Sequence, residues 1–214
     1  FAPPSTTSPP TAAVMVGGGG AARAAVYALS RLALSPIYII NRDMNETNAL
    51  VSHFTALDLR PLRTVAEASS ELRMLKERKG SIVVGIGAIP SVTPATTAEK
   101  ELYAVISRVL SEPYFFRGGG EDKDSAGLEA PRKRIFVEMA YKVRFSVGAT
   151  ALYTDEFVSQ PLWTIVRTLA HKAGWDTVCG VDVVLEVCFE QLKVWTGIEA
   201  SEELRVKTRA DRKS

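Results

Sequence analysis

The chain has 214 residues, 46% hydrophobic and 23% charged, with a net charge of +2. These values fit one soluble globular domain with a sizeable core, and the charge is too small to imply nucleic-acid binding by composition. No apolar run approaches the roughly 20 residues that span a bilayer, no basic-then-apolar leader opens the chain, and two cysteines, Cys179 and Cys188, exclude a disulfide framework.

Reduced thiols predict a cytoplasmic or nuclear protein. His53 and His171 have no metal-ligand spacing to the cysteines, so no metal site is predicted. The first residue is not Met, which predicts a piece of a longer chain. Residues 1–11, FAPPSTTSPPT, are rich in Pro, Ser and Thr and predict a linker, with order beginning near Ala12. The domain proper is expected over 12–201.

The apolar run 12–16 ends in four glycines and predicts a buried strand. A helix follows, with Ala22, Ala25, Val26, Leu29, Leu32 and Ala33 on one face, broken by Ser35-Pro36. Residues 37–40 are a second apolar strand, 45–54 a helix, 59–64 a weak third strand and 65–78 a polar helix. Strand 81–86, helix 97–110 and strand 135–139 come next. Between them, 113–132 carries Gly118-Gly119-Gly120 and a charged cluster and predicts a mobile loop. Leu162, Ile165, Val166, Leu169, Ala170 and Ala173 define an amphipathic helix stopped by Gly174. Val184, Val187, Cys188, Leu192 and Trp195 define another. Residues 202–214 hold five Lys/Arg and three Asp/Glu and predict a frayed, solvated tail. Alternating apolar strands and amphipathic helices predict a Rossmann-like, doubly wound, mostly parallel α/β sheet with helices on both faces.

Gly17-Gly18-Gly19-Gly20-Ala21-Ala22 contains G-x-G-x-x-A between a strand and a helix. The first glycine of such a fingerprint makes the tight turn, the second admits a pyrophosphate, and the small third residue packs helix on strand. Amides at the helix start then meet the anion. A Gly-rich connector without a ligand is the plainer alternative. The second strand ends at Asn41-Arg42, about 20 residues on, where an acid serves the ribose of NAD and an Arg serves the 2′-phosphate of NADP. Arg42 points to NADP, unless it is a solvated surface charge. Asp43 and Glu46 oppose tight binding because they add negative charge beside a phosphate.

VGGGGAARAAVYAL, IINR, EMAYK, the Pro161-Leu162 helix ending AGW, and GVDVVLEVCFEQLKVWTG, in that order, resemble the cofactor-binding half of shikimate dehydrogenases. The flavour is that of the last domain of fungal AROM polypeptides, and the likeness covers roughly 12–198. The resemblance implies NADP as cofactor and places Gly17–Ala22, Asn41 and Arg42 at it. It also implies an N-terminal substrate domain with a catalytic Lys–Asp pair, which has no counterpart in these 214 residues. The family clamps the 2′-phosphate with Arg, Thr/Ser and Lys; Asp43 and Glu46 fall on the last two positions. Aligning on Trp195-Thr196-Gly197 puts Val187 at the family's substrate-contacting Gln and Gln191 at its structural Gln. Tyr141 matches a position near substrate and nicotinamide. Residues 143–160 resemble an insertion of about a dozen residues beside that pocket.

A dehydrogenase-like domain with these departures resembles that of the fungal repressors of quinate utilisation. That resemblance implies a non-catalytic domain with no catalytic residue. Its partners would be the substrate-like domain of the same longer chain and the transcriptional activator of the quinate pathway. NADP would bind weakly or not at all, and a pathway metabolite or dinucleotide is a candidate signal. The alternative is the cofactor domain of an active NADP-dependent shikimate dehydrogenase. Direct DNA binding is disfavoured by near-neutral charge and the lack of a helix-turn-helix. Among the remaining residues, Lys142 and the Arg132-Lys133-Arg134 cluster predict solvated charges, and His171 a surface side chain. Cys188 predicts a buried inert thiol, and Trp163, Trp175 and Trp195 predict packing residues. Apolar surface made to face the absent substrate domain is expected to be exposed.

Overall fold

A computed structural model describes residues 9–113, 133–140 and 164–211. Strands β1 (Thr11–Val16), β2 (Ile37–Ile40), β3 (Leu59–Pro61), β4 (Ser81–Gly87), β5 (Ile135–Glu138) and β6 (Asp176–Val178) form one sheet in the order β3-β2-β1-β4-β5-β6. All five pairings are parallel. This is the doubly wound dinucleotide-fold order, with β1 and β4 flanking the point where the winding reverses. The helices are α1 (Gly20–Arg31), α2 (Met44–His53), α3 (Val65–Glu77), α4 (Thr97–Leu110), α5 (Ile165–Lys172), α6 (Gly180–Thr196) and α7 (Glu202–Asp211).

The strands read as continuous apolar runs because both faces of the sheet are covered. In β1, Ala12, Val14 and Val16 face α3, α4 and α5, whereas Ala13 and Met15 face α1 and α2. The register of β4 against β1 shifts between Ala12 and Ala13. That slip sends Ile82 to one face and Ile86 to the other, although they are an even number of residues apart. Gly85 and Gly87 leave room for a ring from the next strand. A Cβ on Gly85 would lie 2.5 Å from Phe136 Cδ2.

The expected strands 12–16, 37–40, 81–86 and 135–139 match within a residue, and Met15 and Ile39 are register partners on adjacent strands. The weak third strand is shorter than expected, and its Pro61 fits an edge position. Leu32 and Ala33 lie beyond the end of α1, and Leu32 is exposed. Strand β6 was not anticipated. Gly174 (φ +81°) ends the α5 region in a Schellman turn, with Gly174 N–H donating to His171 O and Trp175 N–H to Ala170 O. The turn drops Trp175 into the core and leads straight into β6.

Three expectations are corrected. The charged tail is helical over Glu202–Asp211 because Arg205 pins it to α6. Its Nη1 lies 2.7 Å from Glu186 Oε2, and its guanidinium stacks 4.8 Å from the centre of the Phe189 ring. Cys188 and Trp195 are exposed, because α6 turns Phe189 inward instead. Arg134 is a structural group rather than a solvated charge. It donates to Glu112 O and Ala173 O and lies 4.5 Å over the Trp175 ring. His171 is exposed, and Trp175 is in the core, as expected. The segments 1–8 of the linker, 114–132, Tyr141, Lys142, 143–160 and Trp163 lie outside the described residues. Among the described residues no helix is long and apolar enough to cross a membrane.

Candidate functional site

The carboxyl ends of β1 and β4 open a cleft of about 350 Å³. Gly17, Gly18 and Gly19 form one end, and Asn41, Arg42, Asp43 and Glu46 the β2 side. The wall opposite is built by Ala88, Ile89, Pro90, Val92, Glu99, Leu102 and Tyr103. The position is where open α/β sheets bind ligands, and the size falls in the small-molecule range of about 300–1,000 Å³.

Each glycine of the turn has a different reason. Gly17 adopts φ +120°, and a Cβ there would lie 3.2 Å from Ala88 O. Gly18 makes room for Asn41, whose Nδ2 would lie 2.2 Å from an added Cβ. Gly19 and Gly20 meet nothing within 4 Å, so their face is open. Gly19 caps α1 without a side-chain bond, and no acid stands in the first turn of α1. The helix start therefore presents amides and a positive dipole end to the cleft. Ala22 is fully buried where the helix meets the sheet, and Ala21 is exposed. These features fit the pyrophosphate of a dinucleotide.

The β2 corner is of the opposite character. Asp43 is the N-cap of α2, accepting from Asn45 N–H at 2.7 Å and Glu46 N–H at 3.3 Å. Asn41 Nδ2 donates to Asp43 O at 2.9 Å and to Glu46 Oε2 at 3.1 Å. Arg42 Nη1 reaches across to Glu99 Oε1 at 3.2 Å. Glu99 in turn belongs to the capping box of α4 and accepts from the N–H groups of Ala95 and Thr96, both at 3.0 Å. Those backbone bonds hold its carboxyl below the usual range. One guanidinium, paired with Glu99, thus shares the corner with three carboxylates, each positioned by other groups. The 2′-phosphate of NADP does not fit this corner.

Another carboxyl sits beside the β4–β5 seam. Glu138, at the end of β5, is buried, with its Oε1 accepting from Ala140 N–H at 3.0 Å. Its Oε2 accepts from Thr164 Oγ1, which itself accepts from Arg167 N–H at 3.0 Å. Burial pushes the Glu138 carboxyl up, against the pull of these donors and of the Arg167 charge. The folded state therefore binds this proton more readily than the unfolded chain. Its contribution to stability is full at acid pH and is lost as pH rises through the folded value. The Tm of Glu138→Gln should accordingly rise relative to the parent between pH 4 and pH 7. Thermal melts giving a pH-independent difference would contradict this.

Of the residues expected at a cofactor, Gly17, Gly18, Gly19, Asn41 and Arg42 line the cleft, whereas Gly20 and Ala21 are exposed at the start of α1 and Ala22 is buried against the sheet. Val187 and Gln191 stand elsewhere, exposed on α6 beside Val194 and Trp195, and no α6 residue lines the cleft. Tyr141 lies outside the described residues. Sequence reasoning missed Glu99 and Glu138. Thr96-x-x-Glu99 is a legible capping box, and its place after β4 puts Glu99 at the ligand end of the sheet. Glu138 was signalled only as the lone acid closing an apolar strand.

No protein-family model matches the chain. Among solved structures it is similar to the dehydroquinate dehydratase and shikimate dehydrogenase from S. pombe AroM, with TM-score 0.62, 21% identity, and coverage of 89% of this chain and 28% of that one. It is similar to Mycobacterium tuberculosis shikimate dehydrogenase, with TM-score 0.57, 16% identity, and 94% and 56% coverage. It is also similar to Thermus thermophilus shikimate 5-dehydrogenase, solved in complex with NADP(H) and shikimate, with TM-score 0.51, 17% identity, and 92% and 54% coverage. The chain thus spans from about a quarter to just over half the length of these proteins. What it shares with these shikimate dehydrogenases is the fold: a six-stranded, all-parallel, Rossmann-like sheet with helices on both faces.

Proposed function

We propose that this is a non-catalytic, shikimate dehydrogenase-like regulatory domain that acts by binding a protein partner. The reading follows the resemblance to the fungal repressors of quinate utilisation. The partner is then the transcriptional activator of the quinate pathway, and the setting is the nucleus or cytoplasm. The observation that carries the reading is the acidic corner of the cleft. Arg42 is engaged by Glu99 and flanked by Asp43 and Glu46, so the feature that secures NADP in a working enzyme of this type is cancelled. Two further observations support it. Val187, at the position the resemblance gives to a substrate-binding Gln, has no group to hydrogen-bond a hydroxyl. The exposed side of α6 and the turn after it carry Val187, Val194, Trp195 and Ile198, an apolar strip of the kind that marks protein contacts.

The open glycine cradle favours a second reading, the cofactor-binding domain of an NADP-dependent shikimate dehydrogenase. Two assays on the full-length protein separate the readings. Shikimate-dependent NADPH production should be absent, and deleting residues 1–214 should abolish pull-down of the activator. Robust turnover, or unchanged capture after the deletion, would overturn the regulatory assignment.

A further inference from the structure

We propose that the cleft takes a dinucleotide lacking the 2′-phosphate, of the NAD type, and that Glu99 is the residue that turns the phosphorylated form away. The proposal rests on the reading of the cleft as a dinucleotide site in a non-catalytic domain. It departs from the NADP that the fold's relatives imply. The pyrophosphate end is built and open at Gly19 and Gly20. Ile89, Pro90, Val92, Leu102 and Tyr103 supply an apolar wall suited to a flat ring. Only the corner next to β2 is hostile to an added 2′-phosphate.

That hostility is fixed in place. Asp43 is held by the amides that open α2, Glu46 by the Asn41 amide, and Glu99 by the amides that open α4. None of the three can swing away without giving up a hydrogen bond. A ribose diol donates to such carboxylates, whereas a phosphate dianion has no proton to offer and is repelled. Glu99 has the larger part because it comes from the opposite wall and occupies the corner's one guanidinium. Its Oε2 serves the helix start and its Oε1 serves Arg42, so the two roles are separable.

Glu99→Gln separates them. Gln keeps the capping box through its carbonyl oxygen, and its NH₂ releases Arg42. Calorimetric titration of the intact protein should show NADH binding at least about tenfold tighter than NADPH. In Glu99→Gln the NADPH-to-NADH affinity ratio should rise about tenfold, and Arg42→Ala added to that variant should cancel the rise. Arg42→Ala alone should not raise the ratio and should lower it where the unpaired Glu99 carboxylate is left facing the phosphate; this arm holds even if Gln weakens α4. NADPH binding as tightly as NADH in the parent overturns the proposal. So does an unmoved ratio in a folded Glu99→Gln, or a rising ratio in Arg42→Ala. If neither dinucleotide binds, the ligand assignment fails while the partner-binding reading stands. Shikimate turnover with NADPH instead overturns that reading.

Discussion

The double variant Asp43→Thr with Glu46→Lys is expected to bind NADPH about thirtyfold more tightly than the parent. Each carboxylate near the surface opposes a 2′-phosphate by about 1 kcal/mol at an effective dielectric near 20, less at high salt. Together that is about 2 kcal/mol, or roughly thirtyfold in Kd. Thr at 43 remains an N-cap, so α2 keeps its start. Lys at 46 gives up the bond to Asn41 Nδ2 but places a cation where the acid stood. Calorimetry at low and moderate salt checks both the gain and its screening. An unchanged affinity, or a parent that already binds NADPH at micromolar concentrations or tighter, would show that the acids do not govern the corner.

Trp175→Ala should cost about 3–5 kcal/mol of folding stability, a large part of the roughly 5–15 kcal/mol of a typical domain. The side chain is 2% exposed, and its Nε1–H donates to Leu110 O at 2.9 Å. The ring stands edge-on to Phe136, with centroids 6.3 Å apart, and carries the Arg134 guanidinium on its face. Removing the indole leaves a cavity between α4, β5 and the α5 turn, because Phe136 is itself wedged over Gly85 and Gly87. Leu110 O keeps a longer bond from Arg134 at 3.4 Å, so the carbonyl is not stranded. Urea unfolding measures the loss; a value under about 1.5 kcal/mol would mean that the site collapses around the gap.

What could be read in advance follows from how each element is held. β1, β2 and β4 were legible because a strand buried on both faces must be apolar throughout. α4 was legible because its apolar face repeats at helical spacing, and Thr96 fixes where it starts. The glycine turn was legible as a motif, yet its internal division of labour was not. That Gly18 serves Asn41 rather than a ligand is a contact between residues far apart in sequence. β6 has three residues and exists only by pairing with β5. α7 is a short, highly charged segment whose Arg205 is held by Glu186 and Glu190 of α6, a tertiary effect that local composition does not show. The outward turn of the Val187–Trp195 side of α6 was hidden for the same reason. Periodicity says that a helix has an apolar face, and only packing decides which neighbour receives it. At the site, Asn41 and Arg42 were found by their distance from the turn. Glu99 is 57 residues from Arg42, and nothing local announces the pair.

The capping box of α4 also bears on how such a domain drifts under selection. Replacing Glu99 by most residues removes the acceptor of the Ala95 and Thr96 N–H groups and leaves only the Thr96 half of the capping box, so a change of ligand choice there carries a folding cost. Gln is the exception, since it retains the cap, and a Glu codon becomes a Gln codon by one base change. A population therefore has a narrow, fold-neutral doorway between the two dinucleotide forms, and natural variation at position 99 should be confined to Glu and Gln wherever the helix start is kept.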